Sequence, residues 1–311
     1  MAKEISGERD LPAAGAGGEE FGVADVPYID LTEVLNASGP ADVDAALKNT
    51  QGSKENGKRL EFLDELRGFC VLAMVIYHGL YLLGQHFGVA PALAAYQALQ
   101  PWQPGVAAIF ILLSGVCVRF SSNIKVRALQ LLVWAAVLML VTILLLPALG
   151  MDMRETAVWF GVLHLLGFSK LLYHYGKGVF EKIPKLLGMA VSMLAFVFTF
   201  GGQHGVFSIF GYDVKLPQFL YQTNIFVPLG FHKPDFYAWD YFPLLPWFFL
   251  FLFASFLGRY MEGKDKLPDF CYKRYVLPLG FFGKHALLVY LLHLPVMAGI
   301  FVLIRYLSSG G

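Results

Sequence analysis

Charge is what this sequence has least of. Only 15% of its 311 residues are Asp, Glu, Lys or Arg, against 57% hydrophobic and 15% aromatic, more apolar surface than a soluble core of this length can use. With Lys and Arg nearly balanced by Asp and Glu, the net charge is +1, which leaves no overall basic field to recruit nucleic acid. Cysteine is also scarce: Cys70 and Cys117 lie inside apolar runs and Cys271 in a basic stretch. That pattern excludes a disulfide framework and has no metal-ligand spacing, so the three thiols read as packing residues. What the chain does have is a series of helix-length apolar runs, the mark of a polytopic membrane protein.

Residues 1–58 are of different composition, rich in Gly, Ala, Asp and Glu and without an apolar run long enough for a signal-peptide core. They read as a disordered acidic cytoplasmic tail, followed by a membrane domain over 59–311. The expected fold is all-α, a transmembrane helical bundle of about seven spans near residues 66–86, 105–121, 128–148, 155–173, 184–201, 240–260 and 282–305. The stretch 219–231 is a candidate interfacial or re-entrant segment. Lys and Arg cluster before the first span and in every second connection after it, while the other side holds only Arg154, Lys215, Lys233 and Arg305. By the positive-inside rule the N-terminus is expected in the cytoplasm and the C-terminus outside, in a bacterial inner membrane.

The first span, "RLEFLDELRGFCVLAMVIYHGLYLLGQ", carries Arg67 and, eleven residues on, His78. Eleven helical residues return to within roughly 20° of the starting direction and advance about 16 Å, so the two share a face. Asp64, Met74, Tyr81 and Gln85 extend that face into a polar track, which should meet protein or water and not lipid. Arg67 beside Asp64 also suits a helix-end anchor. His78, an ionisable group at mid-membrane, is a functional candidate, although a neutral imidazole bonded to another helix would satisfy the same position.

His293 in the last span and His164 in the middle of the fourth are expected at similar depth. Pro295 removes a backbone hydrogen bond and frees the carbonyl of Leu291, favouring a polar pocket near His293. A zinc site is disfavoured, because no two of these histidines stand at i,i+4 on one helix and no carboxylate shares their depth. At the cytoplasmic end Arg67, Arg119, Lys125 and Lys284 lie near helix termini and suit a phosphorylated ligand, as positive-inside loops also do. On the outer side residues 202–239 interleave aromatic rings with Gln, Asn, Asp and Thr. Such a surface can stack on a sugar or line an interfacial aromatic belt. Asp240 is placed to cap the sixth helix.

The segments "LDELRGFCVLAMVIYH", "FILLSGVCVRFSSN", "VWFGVLHLLGFSKLL", "DYFPLLPWFFLFL" and "FFGKHALLVYLLHLPV", in this order, resemble the catalytic domain of heparan-alpha-glucosaminide N-acetyltransferases, within the wider transmembrane acyltransferases. The resemblance spans about 59–305. It implies an enzyme that takes an acyl group, typically acetyl, from coenzyme A in the cytoplasm and passes it to an acceptor, a carbohydrate or glycolipid, reached from the other side. Arg67 and His78 match the functional Arg–His pair of that superfamily, whereas Ala286 and Leu294 stand where a serine and a glutamine are expected. The resulting expectation has Arg67, Arg119 and Lys284 holding acetyl-CoA, with no metal, and His78, assisted by His293 and His164, catalysing transfer. Tyr81, Asp240, Trp247 and Tyr290 are the acceptor-side candidates. The rival classes are a transporter or channel-like protein using the histidines as a proton relay, disfavoured by the lack of an internal repeat or of paired broken helices, and an inactive membrane scaffold.

Overall fold

The computed structural model describes residues 60–121, 123–148, 157–262 and 268–309. The expected tail lies outside the described residues, as does Arg154. Among the described residues, nine principal helices follow in order. They are α1 (Glu61–Tyr81), α2 (Ala90–Leu99), α3 (Gln103–Cys117), α4 (Ile124–Leu140), α5 (Val162–Phe180), α6 (Lys185–Thr199), α7 (Leu244–Glu262), α8 (Leu277–Lys284) and α9 (Ala286–Ser309). Proline in the first turn starts α2, α3 and α8, where its missing N–H costs nothing. Single π-turns extend α1 and α4 at their far ends.

Among the described residues, six helical stretches are long and apolar enough to cross a membrane: Glu61–Gln85, Ala90–Phe120, Ile124–Ala148, Lys185–His204, Leu244–Glu262 and Ala286–Ile304. The expected fourth span corresponds to α5, which is not among these six: its helix begins only at Val162, and His164, Lys170, His174 and Lys177 lower its hydropathy. The sixth begins at Leu244 and not at 240, because Pro243, Pro246 and an extended Leu245 hold the chain out of helix. The last is divided at His285 into α8 and α9. The stretch 219–231 forms short 3₁₀ turns at Gln218–Tyr221 and Val227–Leu229.

Half of the apolar stretch of α7 is buried, against 22–28% in the other five, which makes α7 the central helix. It packs on α3, α5 and α6, while α1 packs on α3, α8 and α9 and α4 on α5. Leu, Val and Ile on α4, α6 and α9 stay exposed around the outside, as lipid contact requires. The α1–α8 crossing brings backbones together: a Cβ on Gly68 would lie 2.0 Å from the Leu279 carbonyl oxygen, and one on Gly283 would lie 1.7 Å from that of Asp64. Only glycine fits there. One small hairpin, β1 (Val206–Ile209) with β2 (Tyr212–Lys215), turns at Phe210 and Gly211, both at positive φ. Beside it the segments 157–160 and 239–242 run together, tied by Trp239 N–H to the Ala157 carbonyl at 3.1 Å and Phe242 N–H to that of Phe160 at 3.0 Å.

Candidate active site

Helices α1 and α9 bring two imidazoles to one point. Nδ1 of His78 lies 3.1 Å from Nε2 of His293, with ring centroids 5.2 Å apart. Both residues are buried. The other nitrogen of His293, Nδ1, is 2.5 Å from the Tyr290 carbonyl oxygen. A carbonyl can only accept, so the proton of neutral His293 sits on Nδ1 and its Nε2 offers a lone pair. His78 must then donate Nδ1–H to it, which leaves Nε2 of His78 as the basic nitrogen. Near Pro295, where a polar pocket or a kink is expected, His293 engages the carbonyl of Tyr290 and not that of Leu291.

The network continues through Tyr290, whose hydroxyl donates to Oδ2 of Asp240. The same oxygen accepts the Val162 N–H at 3.1 Å. Asp240 therefore caps α5, not its own helix, and Gly161 makes room for it, since a Cβ there would come 2.3 Å from Oδ2. The two strapped segments explain why: pairing Phe160 with Tyr241 sets residue 240 beside the start of α5. Over the imidazoles, Trp239 packs edge-on against His78 at 5.4 Å and against Tyr81 at 4.9 Å.

A cavity of about 310 Å³ adjoins this cluster, with His78, Asp240 and Tyr290 in its wall beside apolar residues of α1 and α3. A second cavity of about 620 Å³ is lined by Trp159, Phe236 and Tyr237 with Asn224 and Asp235, residues of the two segments that precede α5 and α7.

At the charged end of the bundle, Arg67 donates to Asp64 Oδ1 at 2.9 Å and to Cys117 Sγ at 3.2 Å. Arg119 is committed elsewhere: it reaches Glu262 at 2.7 Å, the Tyr173 hydroxyl at 2.9 Å and Glu181 at 3.2 Å. Its guanidinium holds the Glu181 carboxyl below the usual carboxylate range. Lys284 lies 3.8 Å from Glu61, which Arg274 also pairs. Lys170 has no carboxylate at ion-pair distance among the described residues, and its electrostatic neighbours are Arg67, Arg127 and the Cys117 thiol.

Of the residues singled out in the sequence, His78, His293, Tyr290 and Asp240 thus come together, and Tyr81 joins them through Trp239. His164 does not: it stands in the first turn of α5, not at mid-helix, where Nδ1 accepts the Gly161 N–H at 3.3 Å and the ring stacks on Phe160. Trp247 packs in the core on Phe196 and Phe242. Ala286 and Leu294 are buried, and Gln85, the last residue of the polar track, is exposed. In the sequence Lys170 reads only as one of the cations between the fourth and fifth spans, and Trp239 only as one ring among many in an aromatic stretch, so neither carries a functional role there. No group of three or more His, Cys, Asp or Glu among the described residues is placed to hold a metal.

Fold and site define an integral membrane protein with a buried acid–base cluster between its helices. Residues 59–295 match the family described as heparan-alpha-glucosaminide N-acetyltransferase, catalytic. The chain belongs to that family, which places it among membrane acetyltransferases. Searches of curated proteins and of solved structures return no match.

Proposed function

We propose that this protein transfers an acetyl group from acetyl-CoA, bound at the charged end of the bundle, to a hydroxyl or amine acceptor presented from the opposite side. The observation that carries the reading is the ordered chain Tyr290 carbonyl, His293, His78, which leaves a basic Nε2 on a buried imidazole beside a cavity. The donor's phosphates are assigned to Lys170, which has no carboxylate at ion-pair distance among the described residues and lies in the field of Arg67, whereas Arg119 and Lys284 have carboxylate partners. The pantetheine arm then runs along α1 for about 16 Å, the rise from residue 67 to 78.

At His78 the acceptor's nucleophile attacks the thioester carbonyl as Nε2 takes its proton. The C–S bond breaks, and the coenzyme leaves as the thiol once the proton is returned to sulfur. His293 orients His78 and shares the positive charge that develops; Tyr290 and Asp240 hold His293's helix in register with α5. The charged end is assigned to the cytoplasm by the alternation of Lys and Arg along the chain.

The test is thiol release from acetyl-CoA by purified protein with a panel of glucosaminides and alcohols, beside reporter fusions after Gly311 and within 268–276. Acceptor-dependent release with the C-terminus outside and 268–276 inside is the expected result. Absence of release with every acceptor, or both reporters on one side, overturns the proposal.

A further inference from the structure

The cavity beside His78 is larger and oilier than acetyl transfer requires. An acetyl group occupies the space of about two water molecules, on the order of 60 Å³, and the cavity holds about 310 Å³. His78, Asp240 and Tyr290 line its inner end, Tyr77 and Gln103 add polar groups elsewhere, and Ala73, Val106, Ala107 and Phe110 make most of the remaining wall apolar. The outer end opens between α1 and α3 among Phe69, Ile76, Leu99 and Trp102, which are 47%, 58%, 41% and 72% exposed. In helices that cross a membrane, exposed apolar rings and branched chains face lipid, so the mouth opens sideways into the bilayer. A water-borne sugar entering there would lose its hydration and gain few polar partners, Gln103 and Tyr77, along a mostly apolar wall. A hydrocarbon chain would lose nothing.

Resting on the acetyl-transfer reading above, we propose that the acceptor is lipid-anchored. It enters laterally between α1 and α3, leaves its apolar chain in the slot and sets its hydroxyl or amine against Nε2 of His78. The acceptor's O–H or N–H proton passes to Nε2, the new ester or amide bond forms on the acetyl carbonyl carbon, and the thioester's C–S bond breaks to give free thiol. The acetylated product leaves by the same side door into the membrane, while the thiol leaves toward the charged end.

Two probes with one head group separate tail from head: dodecyl and methyl β-glucosaminide, offered with labelled acetyl-CoA to the full chain in lipid nanodiscs. The expected result is kcat/KM at least about tenfold higher for the dodecyl glycoside, since each buried methylene adds to binding, with the ratio collapsing toward one in Ala107→Phe, which fills the slot. A ratio near one in the unaltered protein overturns the proposal. Because the variant can fail to fold, a dodecyl glucosaminide with a diazirine at the chain end is also photolysed on the unaltered protein. Label on residues 69–76 and 106–110 supports the slot, and label confined to other helices overturns it. Label in the slot with no acetyl passed to either glycoside overturns acetyl transfer and, with it, the acceptor's role, and leaves a lipid site alone.

Discussion

At the charged end, carboxylates are spent on construction. Glu65 accepts the N–H groups of Tyr275 and Val276 at 2.7 and 2.9 Å and so fixes the start of α8, while Glu61 and Arg274 tie α1 to the segment before it. Arg119 gathers α5, α7 and the α5–α6 connection through Tyr173, Glu262 and Glu181. In the middle of the bundle the polar groups are fewer and are joined in single file, from Val162 through Asp240 and Tyr290 to His293 and His78. The first arrangement pairs most of its charges locally, Lys170 excepted. The second ends at Nε2 of His78, which has no hydrogen-bond partner among the described residues, and an ionisable group left open in the middle of a bundle marks a functional candidate.

The sharpest way to break the comparison is at the charged end itself. Gly283→Leu must drive a side chain into the Asp64 carbonyl, so no monodisperse protein is expected on size exclusion; a well-folded variant would show that the α1–α8 contact is not structural. Next in size, His78→Ala should lower kcat by about 100-fold or more while the protein still inserts and purifies like the parent. Near-normal turnover would return His78 to the role of a packed imidazole. Lys170→Gln is expected to raise the KM for acetyl-CoA about tenfold with kcat nearly unchanged, the loss of one charge-assisted contact made equally in ground and transition states. A fall in thermal stability without a KM change would move Lys170 to the scaffold. The smallest effect belongs to Glu181→Gln, an exposed partner of Arg119, where no measurable shift in melting is expected at neutral pH. Because Arg119 lowers this carboxyl's pKa in the folded protein, whatever the pair contributes is present at neutral pH and is lost as the pH falls through that lowered value.

Much of the bundle was legible in advance, because the period that buries one face of α1 is written in the same residues that carry the chemistry. Arg67 and His78 on one face required only the helical repeat. The pairing of His78 with His293 was not legible, since it depends on which helices become neighbours, a matter of interhelical packing such as the Gly68–Gly283 crossing. Asp240 illustrates the same limit. As a polar residue ahead of an apolar run it reads as the cap of its own helix, and two extended segments pairing across 78 residues turn it to another. Arg119 and Lys284 looked like free cations because sequence counts charges but does not show which carboxylates lie beside them. Lys170 was hidden for the converse reason.

The span of 215 residues between His78 and His293 also sets the order in which the protein acquires its chemistry during synthesis. His78 is made on α1, long before its partner exists, and Asp240 follows without Tyr290 to hold. Only α9, made after both, brings His293 and Tyr290 to orient the imidazole and join the network. A chain made only as far as α7 therefore carries His78 and Asp240 without the residues that connect them.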